Sequence, residues 1–298
     1  MKLHDGEAEI DAGLVRRLIA AQFPQLSSLP VSEVRPTGTV NAMYRLGAEL
    51  CVRLPRLERW ARGLRTECTW LPRLAPGLSL QIPEPVGLGE PVPEYPFSWA
   101  VFRWIHGRTY TPDRIDNELQ AAADLARFVA ELRRQELPAA GDIPRSGRPP
   151  LADADAETRD WVARAGDAVD GQAFLSAWEE ALRGPAWNGA GVWIHADLLP
   201  PNLLVRNGRL RAVIDFGSVG VGDPANDLNP AWSVLGPGGR AVFREMLGAD
   251  DDLWQRGRGI VLSQAIALIP YYATTNPGLA ALGRRMIREV LADMAGHG

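Results

Sequence analysis

The stretch VWIHADLLPPNLLVRNGRLRAVIDFG, residues 192–217, decides how the rest of the chain is read. Its middle holds Asn207-Gly208 between two apolar, β-branched runs. A two-residue type I′ turn needs positive φ at both central positions, and Asn-Gly supplies it readily, so the segment is predicted to be a β-hairpin. In that hairpin Arg206 faces Arg209, Asn202 falls opposite Val213, and Asp215 is the diagonal neighbour of Asn202 on the same face. Side chains so related sit about 7–8 Å apart at the backbone and can converge on one ion. An amide oxygen and a carboxylate are hard ligands, which suit Mg²⁺ when triphosphate oxygens and water complete the octahedron. Asp197, five residues before Asn202, then lies close to the metal without needing to bind it. A carboxylate in that place can accept the proton of an incoming hydroxyl and orient it for in-line attack.

Working outward, the chain changes texture near its middle. Apolar residues at helical spacing (Leu14, Leu18, Ile19) predict an opening helix over 11–22. Short strands and turns follow: Val31 to Val34, Asn41 to Leu46, Glu49 to Leu54, Ile82 to Gly89 and Trp99 to Trp104, with a helix over 57–74 that Pro72 should end or bend. After His106-Gly107 the pattern turns helical, over 117–137, 156–165, 171–182 and, in pieces, 253–294, while Pro- and Gly-rich 138–150 reads as a surface loop. The expectation is an α+β chain of two lobes. An N-terminal, mainly antiparallel β lobe over 1–104 is joined through a hinge at 104–108 to a larger, mainly helical lobe over 108–298.

Composition narrows the function classes. The 298 residues are 46% hydrophobic, enough to bury a substantial core. A net charge of −4 argues against nucleic acid as the principal partner, since phosphate-backbone binding needs a basic face. The two cysteines, Cys51 and Cys68, form neither a CxxC nor a Cys/His pattern. No apolar run reaches the roughly 18 residues of a membrane span, and 1–10 lack the core of a signal peptide, so a cytoplasmic protein without a membrane partner is expected. Lys2 is the only lysine, every other basic side chain being arginine.

His195-x-Asp197-x4-Asn202 followed by Ile214-Asp215-Phe216-Gly217 resembles the catalytic and metal-binding loops of the protein-kinase-like superfamily. It is most similar to the aminoglycoside phosphotransferase family, whose members use H-G-D-x4-N, then I-D-F/W, then D-P-x-x-D-L. Gly222-Asp223-Pro224-Ala225-Asn226-Asp227-Leu228 supplies the last element. The resemblance covers roughly residues 30 to 290 and implies a protein-kinase-like two-lobed fold. It implies Asp197 as catalytic base, Asn202 and Asp215 as Mg²⁺ ligands, and His195, Asp223 and Asp227 as supports of the loop. The donor would be ATP or GTP. Arg53 in Cys51-Val52-Arg53-Leu54 resembles the basic residue that touches the α/β-phosphates, and Glu67 its ion-pair partner. Most kinases use lysine there, so Arg53 is a departure, and a planar fork differs from a point charge. Gly38, Thr39 and Asn41 stand where a glycine-rich loop would cover the phosphates, although G-x-G-x-x-G is absent. Arg103, Trp104 and Ile105 lead into the hinge, where backbone groups would recognise the purine.

The resemblance leaves the acceptor open. One expectation is a hydroxyl-bearing antibiotic, such as an aminoglycoside, macrolide or nucleoside, inactivated by phosphorylation; another is a metabolic amino alcohol, sugar or nucleoside. Carboxylates at Asp250 to Asp252 or Asp153 to Glu157 would suit a polycation, although they read equally well as solvated faces; Trp232 and Trp254 would suit an apolar acceptor, although they read better as core packing. A protein kinase is disfavoured, because Asp223 follows Gly217 too soon to leave room for an activation segment. A nucleotide-binding pseudokinase has only Arg53 in its favour. The chain is expected to act as a monomer or homodimer.

Overall fold

The computed structural model describes residues 8–34, 40–138 and 143–296. The chain forms two compact units, Met1–Gly107 with Ala212–Val219, and Arg108–Arg211 with Gly220–Gly298.

The first unit is built on one antiparallel sheet. It opens with helix α1 (Ala12–Gln22), started by the Asp11 carboxylate, which accepts the Leu14 N–H at 2.7 Å. Strands β1 (Val31–Glu33), β2 (Asn41–Leu46) and β3 (Leu50–Pro55) precede helix α2 (Glu58–Leu74), and β4 (Pro85–Gly89) and β5 (Trp99–Arg103) complete the sheet in the order β1-β2-β3-β5-β4. One face of α1, carrying Leu14, Val15, Leu18 and Ile19, packs with Leu46, Val52, Leu54, Tyr95, Trp99 and Val101 into a core. α2 runs on to Leu74, two residues beyond Pro72, because Trp70, Leu71 and Leu74 anchor its last turn in the interior. The helix therefore does not end at the proline, whose missing N–H removes a single hydrogen bond.

The second unit holds β6 (Arg108–Thr109), α3 (Glu118–Arg133), α4 (Asp155–Ala165) and α5 (Gly171–Leu182). Next come β7 (Val192–Ile194), β8 (Leu203–Arg206), β9 (Arg209–Val213) and β10 (Gly220–Gly222), then α6 (Pro230–Ser233), α7 (Pro237–Leu247), α8 (Asp251–Tyr271) and α9 (Pro277–Ala295). β6, β8 and β9 form a three-stranded sheet, and β10 pairs antiparallel with β7. β9 carries the chain out of this unit, since Ala212–Val219 belong to the first. α7 was not foreshadowed in the sequence. It starts at Pro237, whose fixed φ suits the first position of a helix. The described part of the Pro- and Gly-rich loop, 143–150, is tied down by a parallel bridge between Arg145 and Val221. Among the described residues no helix is long and apolar enough to cross a membrane.

Candidate active site

The expected hairpin is present. β8 and β9 are joined by Asn207 and Gly208 at φ 52° and 71°, the two positive values a type I′ turn requires. The ladder is shorter than the sequence suggested, however. Asn202 ends a 3₁₀ turn (Pro200–Asn202) just before β8, and Asp215 follows the end of β9 with φ 64°. Neither is a ladder residue, so the diagonal relation drawn from strand pairing does not apply. Two prolines at the start of that turn set its φ angles, which is why pairing begins only at Leu203.

In the second unit His195, Asp197, Asn202 and Gln264 lock together. The Asn202 Nδ2 group donates to Asp197 Oδ2 at 2.8 Å and to the Asp197 backbone carbonyl at 2.9 Å. With its nitrogen so engaged, the amide turns its oxygen away from Asp197. Gln264 Nε2 donates to the other carboxylate oxygen, Oδ1, at 3.3 Å. His195 is wholly buried, and its Nδ1 accepts the Asp197 N–H at 3.2 Å. It supports the loop rather than facing an open site.

Asp227 fixes the backbone beneath. Its carboxylate accepts the N–H groups of His195 at 2.9 Å and Ala196 at 2.8 Å. Burial raises the Asp227 carboxyl above its ordinary value, with the neighbouring His195 and the two amide donors opposing the shift. Ala196, where the family carries glycine, holds φ 65°. Left-handed backbone costs an alanine about 1–2 kcal/mol, and the Asp227 clamp is what holds it there. Asp223 caps the next turn, accepting the Ala225 N–H at 2.9 Å and Arg256 Nε at 3.1 Å. Asp227 thus braces the loop directly, and Asp223 braces the turn that carries Asp227.

In the first unit Arg53 sits on β3 opposite Met43 and Ala100. Its fork meets Glu67 of α2 through Nη1–Oε2 at 2.6 Å and Nη2–Oε1 at 3.0 Å, and Nη2 also reaches Asp215 Oδ1 at 3.4 Å. Glu67 is fully buried and Arg53 only 6% exposed. Burial pushes the Glu67 carboxyl up to about 7, with Arg53 pulling the other way. For Arg53, burial works against the charge, but Glu67 and Asp215 outweigh it and the guanidinium stays ionised. Arg53 Nε is buried with no hydrogen-bond partner among the described residues. A Cβ on Gly63 would lie 2.8 Å from the Gly217 carbonyl oxygen, so α2 approaches the Asp-Phe-Gly segment as closely as backbone allows.

The remaining expected nucleotide contacts fare unequally. Gly38 and Thr39 lie outside the described residues. Asn41 opens β2 opposite Pro55, and its Oδ1 is buried with no hydrogen-bond partner among the described residues. The Arg103 N–H is donated to the Glu84 carbonyl at 2.9 Å and the Trp104 N–H to the Glu49 carbonyl at 2.8 Å, so neither amide hydrogen is left for a purine. The Arg45 guanidinium lies 4.1 Å from the centre of the Trp104 ring, and Ile105 is buried. Trp232 and Trp254 are core residues: their ring centres are 4.7 Å apart and both indole nitrogens donate to Asp293.

Asn202 and Asp215 each fit a magnesium ion. One presents an amide oxygen, and the other a carboxylate whose side chain is 42% exposed. Among the described residues no group of three or more His, Cys, Asp or Glu could hold a metal. An ion on either would draw its remaining ligands from phosphate and water, as Mg²⁺ commonly does. Sequence reasoning missed Gln264 and Asn229, whose only trace was polarity inside an apolar helix and next to the Asp227-Leu228 pair.

Residues 33–260 match the model of the phosphotransferase enzyme family, APH. That is more than half of the chain, and the chain belongs to this family. A comparison with curated proteins finds no match. Among solved structures, the GDP and kanamycin complex of APH(2")-IIia is 19% identical, with 94% of this chain and 99% of that one covered at a TM-score of 0.69. The GDP complex of wild-type aminoglycoside 2'-phosphotransferase-IIIa is 18% identical, with 96% and 100% covered and a TM-score of 0.67. The macrolide 2'-phosphotransferase MphH from Brachybacterium faecium, as apoenzyme, is 21% identical, with 93% and 97% covered and a TM-score of 0.58. At these identities the likeness establishes the fold: an antiparallel β unit and a mainly helical unit of the kinase-like type.

Proposed function

We propose that this phosphotransferase moves the γ-phosphoryl group of ATP or GTP onto a hydroxyl of a small-molecule antibiotic. The observation that carries the reading is the Asp197 carboxylate, held from two directions by Asn202 and Gln264 on a loop clamped by Asp227. Asp197 orients the acceptor hydroxyl and takes its proton as the oxygen attacks phosphorus in line and the nucleoside diphosphate leaves. Arg53, kept charged and in place by Glu67, binds phosphate oxygens. Asn202 and Asp215 would hold magnesium, which supplies charge neutralisation on the phosphates. Ile105 and its neighbours border the purine. Catalysis here is positioning and electrostatics, with no covalent enzyme intermediate.

The antibiotic acceptor is favoured by the relatives whose structures carry kanamycin, gentamicin or streptomycin, together with the macrolide 2'-phosphotransferases. Phosphorylation adds close to two negative charges, enough to spoil binding to a target that recognised a neutral or cationic hydroxyl compound. The test is mass spectrometry on a panel of hydroxyl-bearing antibiotics and common metabolites, incubated with protein, Mg²⁺ and either nucleotide. Gain of one phosphoryl group on an antibiotic is the expected result. Modification of a metabolite alone would place the enzyme in metabolism and overturn the antibiotic assignment.

A further inference from the structure

Within α8 the run from Ile260 to Ile269 is apolar except for Ser263 and Gln264. Ser263 bonds Thr158 at the boundary with α4. Gln264 is 5% exposed and Asn229 only 1%, so both amides are interior groups; both ends of Gln264 are matched, whereas the Asn229 oxygen has no hydrogen-bond partner among the described residues. The match is directional. Asn229 Nδ2 donates to Gln264 Oε1 at 2.8 Å, and Gln264 Nε2 then faces Asp197 Oδ1 at 3.3 Å. Turning the Gln264 amide over would set its oxygen against the carboxylate and its NH₂ against that of Asn229, both repulsive. Asn229 therefore supports the orientation in which the Gln264 NH₂ meets Asp197.

We propose that Gln264, backed by Asn229, is a positioning residue that holds the Asp197 carboxylate in the orientation phosphoryl transfer requires. Asn202 engages Oδ2 from the turn before β8, while Gln264 engages Oδ1 from α8. With both oxygens anchored from different elements the plane of the carboxylate is fixed, and the remaining lone pairs point in a set direction. The donor is neutral, so it orients the base without cancelling the charge the base needs. Asn229 follows directly after Asp227-Leu228, so the segment that clamps the backbone of the loop also supplies the first link to its side chain. The inference rests on the phosphotransfer reading for what Asp197 does, whereas the contact itself does not.

The experiment pairs kinetics with a readout that needs no turnover. Gln264→Met keeps the length and removes the donor, and Asn229→Ala leaves Gln264 free to turn over. With an acceptor that wild type phosphorylates, Gln264→Met is expected to lower kcat about 10- to 100-fold with KM for the nucleotide unchanged. Asn229→Ala is expected to lower it less. In nuclear magnetic resonance spectra the Gln264 side-chain amide, assigned by its loss in Gln264→Met, should shift in Asp197→Ala and broaden in Asn229→Ala. Wild type that makes no product in any panel defeats the phosphotransfer reading, and the amide signal then still decides on the contact. Unchanged kcat in Gln264→Met, or a Gln264 amide indifferent to Asp197→Ala, overturns the proposal. If Gln264→Met does not fold, Asn229→Ala and the amide signal decide it.

Discussion

Arg53 gives Nη1 and Nη2 to Glu67, both nearly closed to water, and lies within ion-pair distance of the partly exposed Asp215. A buried pair of this kind contributes little over an apolar pair of the same volume, but breaking it from one side strands a buried charge. Arg53→Met is therefore expected to cost about 3–5 kcal/mol in urea unfolding, and Arg53→Met with Glu67→Leu to recover most of that loss. Equal destabilisation by the single and double variants would show that the charges are solvated and the pairing immaterial. Lysine in most kinases and arginine here could not be weighed from sequence, because the departure is a question of geometry. Only the coordinates show that the fork meets both Glu67 oxygens. Ala196 belongs to the same scale. Ala196→Gly relieves the φ of 65° but adds freedom to the unfolded chain, so the two terms largely cancel and stability should move by less than about 1 kcal/mol. Ala196→Val, a β-branched residue in left-handed backbone, should lose substantially more in the same unfolding assay.

The hairpin was legible because an Asn-Gly turn is a local device with a local signal. Its ends were not, because the prolines at 200 and 201 and the left-handed Asp215 interrupt a pattern that alternation alone would extend. α2 was legible as a helix, but the contact that matters on it is a glycine. Gly63→Ala would set a methyl carbon 2.8 Å from the Gly217 carbonyl oxygen, pushing α2 off the segment that carries Asp215. About 1–3 kcal/mol of lost stability is expected, together with weaker magnesium-dependent nucleotide binding by calorimetry. At the far end of the helical unit, Asp293 of α9 ties together α6, α7 and α8 by accepting from Trp232, Trp254 and Arg258 and lying 3.6 Å from Arg240. Burial works to raise its carboxyl, but Arg258, the Trp254 indole and Arg240 prevail and hold it below the ordinary carboxylate value. A carboxyl depressed in the folded state stabilises above its unfolded value, and that stability is lost as pH falls through the folded one. Asp293→Asn should thus be less stable than wild type by about 1–3 kcal/mol at neutral pH, with the gap closing below about pH 4. A gap that stays constant on acidification would mean that charge plays no part.

The two-unit organisation is not a simple cut in the sequence. Ala212–Val219 group with the first unit, so the 26-residue stretch that announced the family delivers Asp197 and Asn202 to one unit and Asp215 to the other. Sequence spacing singled out all three, since each sits in a short motif whose residue types fit its chemistry. Its motifs did not include Gln264, which meets Asp197 from a distant position, or Asn229, which bonds Gln264. It was silent too on the acceptor, which depends on side chains spread over several helices. In the proposed reaction Asp197 activates the acceptor hydroxyl while the nucleotide is held elsewhere. The most direct measurement is the single-turnover rate of phosphoryl transfer by Asp197→Ala, at saturating nucleotide and magnesium, beside its nucleotide dissociation constant. Transfer should fall at least about 100-fold, with nucleotide binding within a few-fold of wild type. Transfer at the wild-type rate would contradict this role of Asp197.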